Sequence, residues 1–519
     1  MAGNRVNLMR VPPRNDAIRG SNDSWTIPGR LLYDNRTSEG GAKGRGTWPQ
    51  GGQAVAKHLN YGTYYINIGR DPKGLKKKVG KYREGSVADS ILFRTFGESQ
   101  KERDSMNTIN NQSFIRNMKI LVLNCGSSSI KYQLVDMAKN AEVMAKGLLE
   151  RIGLEMGEFT HKWNGQKHYE QLPIPDHTAG IKIVLNALID PEMGVIKNFN
   201  EIGAVGNRVA HGGETFDKSV LVTDEVIEKI KALTPLAPLH TPGNLAGIYA
   251  MREVLPGVPQ VAVFDTAFHS TLPPKSYLYG VPYEYYEKYG VRRYGFHGTS
   301  HKFVAEKAAK MIGRDWNDLK IISCHLGSGA SICAIDHGKS FDTTMGMTPL
   351  EGLLMGSRPG DVDPGVIEFI IKKEIVDNGK DWKDITKILN KQSGLVGISG
   401  GKQDMRDIRA GRDAGDVRAT YAFDMFAQRV KRYIGGYMAE MGGCDLLLFT
   451  GGIGENAWFM RRPILENMEC LGIKVDFSKN DNVMGEDIIL STPDSKMAVV
   501  VVTTDEEYVI ASDTYALVK

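Results

Sequence analysis

The chain has 519 residues, of which 41% are hydrophobic and 24% are charged, and its formal net charge is +4. This length exceeds what one hydrophobic core usually supports, so we expect at least two cores. No apolar run approaches the ~20 residues that a membrane helix needs, and no stretch has the pattern of a secretory signal, which argues against a membrane protein. The five cysteines form no CxxC pair, which indicates reduced thiols in a cytoplasmic protein.

Residues 1–117 differ in composition from the rest of the chain. They contain 20 Lys/Arg and 10 Asp/Glu, whereas residues 118–519 contain 45 and 51. The segment is rich in Gly, Asn, Arg and Ser and has no sustained helical or strand period. We therefore interpret it as a basic N-terminal extension that is disordered or not native to the folded protein. A basic arm that binds nucleic acid is the alternative, and a transit peptide is disfavoured by the acidic residues.

From Met118 onward, short apolar runs alternate with helical patterns. Strands are predicted at residues 120–124, 202–210, 259–268, 319–326, 444–452 and 497–504. Helices are predicted at residues 300–313 and 418–442. The first should begin after an N-cap at Thr299 or Ser300, with an apolar face made of Phe303, Val304, Ala308 and Met311. The alternation predicts the α/β class with largely buried strands.

Two segments share one layout. Residues 122–136 (VLNCGSSSIKYQLVD) and 323–336 (SCHLGSGASICAID) each read as a strand, a polar residue, a Gly-Ser turn and a returning strand that ends in Asp. This similarity indicates that one hairpin-bearing domain was duplicated. Glycine lets backbone N–H groups approach an anion and hydroxyls add donors, so two facing turns would form two phosphate clamps. Each turn alone is compatible with an ordinary hairpin, and neither is a P-loop because GxxxxGK[ST] is absent.

Residues suited to phosphoryl transfer follow the predicted strands. Arg208 and Arg358 lie in glycine-flanked segments, and guanidinium groups can hold phosphoryl charge bidentately; surface salt bridges are the alternative. Asn124, Asp265 and Glu506 are oxygen donors of the kind that Mg²⁺ prefers. Since ligands bind at the ends of strands in open α/β sheets, this set favours phosphoryl transfer.

Other chemistries have weaker support. His297 and His301 have the spacing of a zinc-binding helix, but the Glu of HExxH is missing and Gly298 should disturb a helix at that point. No GxSxG elbow for serine hydrolysis occurs. Cys125 could serve as a nucleophile, although a small filler is the preferred interpretation.

Eight motifs together resemble the acetate kinase family, within the superfamily of acetate and sugar kinases, heat-shock proteins and actin. They are LNCGSSSIKY, RVAHGGE, DTAFH, RYGFHGTSH, HLGSGAS, TPLEGLLMGSRPGDVDP, SGLVGISG and FTGGIGEN. The match runs from Met118 to the end of the chain in the family's order, whereas residues 1–117 have no counterpart. The resemblance implies two duplicated ribonuclease H-like domains, of the actin and hexokinase type, with a central cleft. The N-terminal domain would contain residues 118–267 and 507–519, and the nucleotide-binding C-terminal domain residues 268–506.

The resemblance also implies the reaction ATP + acetate ⇌ ADP + acetyl phosphate by direct in-line transfer without a phosphoenzyme. A carboxylate is already a nucleophile at pH 7, so catalysis would depend on alignment and charge stabilisation. The implied catalytic residues are Asp265, Arg208, Arg358 and His297, with His297 and Arg358 stabilising the transition state and His240 nearby. Asn124 and Glu506 would hold Mg²⁺, for which Mn²⁺ is an alternative, together with Asp265 directly or through water.

The remaining implied roles concern the substrates. The nucleotide phosphates would contact Ser127, Ser129 and Lys131 in the first turn and His325, Leu326, Gly327, Ser328 and Gly329 in the second. The adenosine would lie among Asp404, Met405, Arg406, Gly452, Ile453, Gly454, Glu455 and Asn456. The short-chain carboxylate would lie among Arg208, Ala210, Leu239, Phe296 and Pro349.

This chain departs from the family pattern at Asn207, Ala210, Thr241, Gly243 and Ser328. Ala210 matters most, because a valine is usual there in acetate-preferring members. A smaller side chain enlarges the acyl pocket, and pockets discriminate one methylene only ~10–200-fold. We therefore expect propionate to be accepted as well as acetate.

Two other functions stay open from the residues alone. A sugar or polyol kinase of the same superfamily would need an Asp base beside a hydroxyl-binding pocket. A nucleotide-driven binding protein of the chaperone or actin type would leave the two arginines unexplained. The expected partners are acetate, ATP and, from the resemblance, a second copy of the chain, with no membrane partner and with nucleic acid only through residues 1–117.

Overall fold

The structure is a computed structural model and describes residues 118–519. The interpretations made of residues 1–117 lie outside the described residues. Residues 118–519 contain fourteen strands, which form two sheets. The first sheet contains β1 Lys119–Cys125, β2 Ser129–Asp136, β3 Glu142–Glu150, β4 Gly157–Trp163, β5 Gln166–Leu172, β6 Ile202–Val209, β7 Val220–Leu221 and β8 Gln260–Phe264. The second contains β9 Lys320–Leu326, β10 Ala330–Asp336, β11 Lys339–Thr343, β12 Leu446–Thr450, β13 Ile488–Ile489 and β14 Ala498–Val501.

Helices lie between and around these strands. In chain order they are α1 His177–Ile189, α2 Asp224–Ala232, α3 Thr241–Val254, α4 Pro274–Tyr277, α5 Glu284–Tyr289, α6 Gly298–Met311, α7 Pro364–Ile371, α8 Trp382–Lys387, α9 Gly394–Ser399, α10 Met405–Asp413, α11 Val417–Met441, α12 Gly451–Asn456, α13 Trp458–Leu465, α14 Phe477–Asn480 and α15 Glu506–Val518. Among residues 118–519, none of them is both long and apolar enough to cross a bilayer.

The two sheets repeat one topology. The strand orders are β5-β4-β3-β2-β1-β6-β8-β7 and β11-β10-β9-β12-β14-β13. In each, a hairpin and a third antiparallel strand (β1, β2, β3 or β9, β10, β11) are followed by two strands parallel to the first (β6, β8 or β12, β14). The predicted duplication of a ribonuclease H-like α/β domain is therefore confirmed.

The central strands are apolar on both faces because helices cover both faces. Helix α15, at the end of the chain, returns to the first sheet and packs on β1, β6 and β8. At Gly206 a Cβ would approach within 2.6 Å of a methyl carbon of Ile510. This glycine therefore lets the last helix lie directly against β6, beside the segment that carries Arg208.

The predicted strands mostly extend too far at their carboxyl ends. The run 259–268, for example, contains a strand only at Gln260–Phe264, and Asp265 leaves the sheet. Strands such as β5 Gln166–Leu172 were not predicted, because that strand is largely exposed and polar and carries no apolar run. An apolar run identifies a buried strand but does not mark where the sheet ends.

The start of α6 differs from the prediction. The helix begins at Gly298, and its N-cap is His297, which has a φ of +58° and makes no side-chain capping bond. Gly298 does not disturb the helix, because it occupies the first helical position, where its own N–H donates to the carbonyl of Asp265 at 2.9 Å. A Cβ at Gly298 would collide with that carbonyl, so the glycine permits the close contact between α6 and the end of β8. Of the predicted apolar face, Val304 and Ala308 are buried, whereas Phe303 and Met311 are only partly buried, and Ala305 and Ala309 complete the buried apolar face.

Candidate active site

The first Gly-Ser turn connects β1 to β2 and is held by contacts from two helices. The Gly126 N–H donates to the carbonyl of Ser129 at 2.8 Å, which closes the turn. His177 Nε2 donates to the carbonyl of Gly126 at 2.8 Å. At the start of α3, a Cβ on Gly243 would collide with the same carbonyl, so this departure from the family pattern lets α3 approach the turn. The exposed hydroxyl of Ser127 is left available to a ligand.

Asn244 links the first turn to the acyl side of the site, and sequence reasoning did not identify it. Its buried amide donates from Nδ2 to the carbonyl of Cys125 at 2.7 Å and accepts at Oδ1 from the N–H of Ala210 at 3.0 Å. Asn244 ends the Pro- and Gly-containing segment LAPLHTPGN of residues 236–244, but no sequence rule for a single Asn distinguishes such a bridge from an ordinary helix residue. Cys125 itself is buried, and burial raises the pKa of its thiol to about 12, as expected for a filler rather than a nucleophile.

Arg208, near the end of β6, is fixed by three hydrogen bonds. Its Nε donates to Asp265 Oδ1 at 3.0 Å, its Nη2 pairs with Asp265 Oδ2, and its Nη1 donates to Asn124 Oδ1 at 3.1 Å. The Asp265 side chain is 4% exposed and that of Arg208 is 23% exposed. The ion pair and the bond to Asn124 thus join the ends of β1, β6 and β8, and they leave part of the guanidinium exposed.

The Asp265 carboxylate is fully engaged by this pair. Burial raises the pKa of the Asp265 carboxyl, the nearby Glu506 raises it further, and the Arg208 guanidinium opposes the rise. Because both oxygens accept hydrogen bonds from Arg208, a proton on either would face an N–H donor, so we take Asp265 to be ionised. It therefore positions Arg208 and is poorly placed to act as a general base.

A second carboxylate stands at the start of α15. Burial raises the pKa of the Glu506 carboxyl, while Arg208 and Lys131 lower it. Lys131, on β2, forms an ion pair with the adjacent Glu507. The predicted metal residues Asn124 and Glu506 therefore both lie near the Arg208–Asp265 pair, with Lys131 close to Glu506.

These oxygen donors are compatible with a magnesium ion. Among residues 118–519 no group of three His, Cys, Asp or Glu forms a dedicated metal cage. Mg²⁺ in nucleotide enzymes usually keeps several waters and uses only one or two carboxylates together with the substrate phosphates. Burial is the main cause of the raised pKa of Asp265, and Glu506 adds to it; a bound cation held by these carboxylates would relieve their repulsion.

Arg358 presents a second, differently held guanidinium. Its Nη1 donates to the carbonyl of Pro349 at 3.3 Å, and within residues 118–519 no carboxylate pairs with it. Burial lowers the pKa of Arg358, and no anion in the described part of the chain opposes the effect. A half-buried cation without a counter-ion is a site for an anionic ligand.

His297 lies near enough to both arginines for each to lower its pKa. Its ring stacks on His325 with the ring centroids 4.2 Å apart and the planes 25° from parallel. Burial lowers its pKa well below the usual value, and His325, His301, Arg208 and Arg358 lower it further, so the ring is neutral at pH 7. Its left-handed backbone conformation is uncommon for a residue other than glycine and occurs preferentially at functional sites.

The second Gly-Ser turn meets the same point. A Cβ placed on Gly329 would lie 3.5 Å from His297 Nε2 and 3.8 Å from Arg358 Nη1. Ser328 is exposed, and its hydroxyl accepts from Gln403 Nε2 at 3.2 Å. The structure therefore brings the second turn, His297 and Arg358 together. Arg208 is also near, because it lowers the pKa of His297 as Arg358 does.

The predicted acyl residues differ in burial and in their contacts with the arginines. Ala210 and Phe296 are buried, and the ring of His211 contacts Phe296 with centroids 5.7 Å apart. Pro349 is joined to Arg358 through its carbonyl, whereas Leu239 is 54% exposed. His240 lies near both arginines, which lower its pKa after the larger effect of burial.

The predicted adenosine residues lie at the second sheet. Helix α12 begins at Gly451, next to the second turn, where a Cβ on Gly451 would contact the carbonyl of Leu326 at 2.8 Å. Within this helix the Glu455 carboxylate is already engaged by Thr450, Gly451 and Thr504. The buried side chains of Leu326 and Met405 belong to the hydrophobic core, so only the backbone of these residues is available to a nucleotide.

The same helix has a buried support that sequence reasoning missed. Arg461 is fully buried, and its guanidinium donates to the carbonyls of Gly454 and Glu455 at 2.8 and 2.9 Å. It also donates to Asn480 Oδ1 at 2.9 Å. Asp404 and Arg406, by contrast, pair with each other at the start of α10 and lie at the protein surface.

Buried histidines predict a strong pH dependence of stability. Burial lowers the pKa of His211, His269 and His325 to about 4. Unfolded histidines titrate near pH 6.5, so between pH 6.5 and 4 the unfolded chain binds more protons, and the free energy of unfolding falls as the pH is lowered through this window. Together the three histidines should lower the free energy of unfolding by about 4 kcal/mol per pH unit at most.

Urea denaturation at pH 8, 7 and 5.5 checks this expectation. The midpoint should be nearly the same at pH 8 and 7, because the contribution is fully present above pH 6.5, and should be clearly lower at pH 5.5. A midpoint that does not change between pH 7 and 5.5 would contradict neutral burial of these rings.

Comparison with known proteins gives consistent matches. Residues 119–512 match the model of the acetokinase family. The chain is 54% identical over 400 residues to an acetate kinase of Parabacteroides distasonis, covering 76% of this chain and 98% of that protein. The crystal structure of Porphyromonas gingivalis acetate kinase superposes with a TM-score of 0.74 at 47% identity, covering 78% of this chain and 100% of that one. A propionate kinase from Francisella tularensis superposes with a TM-score of 0.71 at 40% identity, covering 77% and 100%.

Proposed function

The chain belongs to the acetokinase family, and on that premise we propose that it is an acetate kinase, which transfers the γ-phosphoryl group of ATP reversibly to acetate. One observation carries the proposal. Two guanidinium groups, one bound to Asp265 and one without a carboxylate partner among residues 118–519, both lie near enough to His297 to lower its pKa, and Gly329 of the second Gly-Ser turn adjoins His297. This arrangement suits a trigonal, negatively charged group in transfer between two oxygens.

The nucleophile is the carboxylate of acetate, which needs no deprotonation. Direct in-line attack on the γ-phosphorus then requires alignment rather than a base. Asp265 supports this reading, since both of its oxygens accept hydrogen bonds from Arg208. We assign to Arg358 and to the neutral His297 the stabilisation of phosphoryl charge in the transition state.

Magnesium would be held by Asn124, Asp265 and Glu506, directly or through water, with Mn²⁺ as an alternative. Bound there, the ion would neutralise phosphate charge. The chain itself supplies the first turn for the phosphates and Lys131 beside it. Closure of the cleft over the nucleotide would exclude water that otherwise hydrolyses ATP.

The test of the function is a hydroxamate assay with ATP, Mg²⁺ and acetate. Acyl phosphate should accumulate as acetohydroxamate and depend on all three components. A sugar kinase would give none and would phosphorylate a hydroxyl substrate instead, and a binding protein would give neither product. The engaged state of Asp265 disfavours the sugar kinase, which needs a free carboxylate as base.

We extend the proposal to propionate, because the buried Ala210 takes the place of a larger side chain in the acyl pocket. Ala210→Val should lower kcat/KM for propionate about 10-fold more than kcat/KM for acetate, since one or two methyl groups now oppose the longer substrate. Steady-state kinetics with both acids measure the ratio, and acetate serves as the internal control. An unchanged ratio would contradict the role of residue 210 but not the kinase activity.

The assembly and location of the protein are part of the same proposal. We assign residues 118–267 and 507–519 to one domain and 268–506 to the other, supported by the packing of α15 on the first sheet and of α6 on the second. We expect a homodimer in the cytoplasm, where the five free cysteines would stay reduced. Light scattering should give twice the 57.3 kDa mass of one chain.

A further inference from the structure

A chain of hydrogen bonds runs from the cleft into the core of the second sheet. His297 Nδ1 and Ser331 Oγ are 2.9 Å apart, and the same hydroxyl is 2.7 Å from His301 Nε2. His301 Nδ1 is in turn 2.8 Å from Ser323 Oγ. His301 and both serines are completely buried, so water does not replace any of these partners.

The protons in this chain can be arranged in only two ways while both rings are neutral. Ser331 has a single hydroxyl proton between two ring nitrogens, so one nitrogen must donate to it and the other must accept from it. In the first arrangement Ser323 donates to His301, His301 donates to Ser331, and Ser331 donates to His297 Nδ1. In the second arrangement every one of these bonds is reversed.

Ser323 distinguishes the two arrangements. Within residues 118–519 its hydroxyl has one hydrogen-bond partner, His301 Nδ1. In the first arrangement the proton of Ser323 is used in that bond, and every group in the chain is satisfied. In the second, His301 donates to Ser323, and the buried hydroxyl proton of Ser323 has no acceptor, which is unfavourable.

We propose that Ser323, His301 and Ser331 are positioning residues that hold His297 in the tautomer protonated at Nε2. This inference rests on the proposed kinase function, and it explains how His297 is kept able to donate a hydrogen bond to the phosphoryl group. Phosphoryl oxygens only accept hydrogen bonds, so His297 contributes only if its cleft-facing nitrogen carries a proton. That nitrogen is the one near Gly329 and Arg358, and the stacked ring of His325 keeps the plane of the imidazole fixed.

Kinetics of four variants test the proposal. Ser331→Ala and Ser323→Ala should lower kcat by about 10- to 100-fold, part of the effect of losing one donor to the transition state, with KM for ATP and acetate within about twofold. Ser331→Thr keeps the hydroxyl and should restore most of kcat. Ser340→Ala is the matched control, because the buried Ser340 hydroxyl makes a similar hydrogen bond to His269 Nδ1 at 2.8 Å but is not part of the series that links Ser323 to His297. This variant should keep kcat near the wild-type value.

A second readout is independent of activity. In the substrate-free protein labelled with ¹⁵N-histidine, the His297 signals, assigned with His297→Gln, should report a protonated Nε2 and an unprotonated Nδ1. Ser331→Ala should convert them to a mixture of tautomers. The proposal is overturned if wild-type His297 carries its proton on Nδ1, or if Ser331→Ala leaves both the tautomer and kcat unchanged. If the hydroxamate assay fails while the tautomer result holds, the kinase function is wrong and the hydrogen-bond chain stands.

Discussion

Arg358→Ala should lower kcat about 10²- to 10³-fold with little change in KM for acetate, the loss typical of one removed charge-stabilising donor. We also expect the Arg358→Ala variant to be about as stable as the wild type. Arg358 has no carboxylate partner within residues 118–519, so its removal leaves no anion unpaired, and burial already opposes its charge. Steady-state kinetics and thermal unfolding of the same preparation measure both effects.

Two further variants control this experiment. Arg358→Lys keeps the charge but not the planar fork and should recover only part of kcat. Arg314→Ala removes an exposed arginine that pairs with Asp445 at the surface and should leave kcat unchanged. A rise in KM alone, with kcat preserved, would contradict a role for Arg358 in the transition state.

Asp265→Ala should combine a comparable loss of kcat, about 10³-fold, with a loss of stability. The substitution leaves the Arg208 guanidinium without its bidentate partner and releases it from the position beside Asn124. Removing one member of a buried pair costs about 3–5 kcal/mol, and the lower end applies because Arg208 is 23% exposed. Urea denaturation at pH 7.5 measures the free energy of unfolding.

The double variant Arg208→Ala with Asp265→Ala separates the two effects. Because it removes the unpaired cation, it should recover stability relative to Asp265→Ala while its activity stays low. If the single Asp265→Ala variant is as stable as the wild type, the pair does not hold the ends of β1, β6 and β8 together. If its kcat is also unchanged, Asp265 has no part in positioning Arg208.

The opposite stability outcomes of these variants follow from one structural difference. The Arg208 charge is balanced within the protein, whereas the Arg358 charge is left for a ligand to balance. A site with one fixed and one unbalanced guanidinium can bind an anion and still hold part of its charge-stabilising apparatus in place beforehand.

Much of the fold could be predicted from the sequence. Apolar runs placed the central strands, and the shared layout of residues 122–136 and 323–336 indicated the duplication that both sheets display. These signals are local, since burial on both faces and a Gly-Ser turn leave their pattern in consecutive residues. The exposed strand β5 and the start of α6 were missed because edge exposure and close helix approach leave no such pattern.

The sequence by itself determined the α/β class, the duplicated hairpins and the residue types suited to phosphoryl transfer. Only the tertiary structure decided which of them act on one another: Asp265 with Arg208, Asn244 with Cys125 and Ala210, and Ser323 with His297 through two intervening groups. The physical reason is that a hydrogen bond depends on distance and direction in space, and these partners are brought together by sheet register and helix packing rather than by their spacing along the chain.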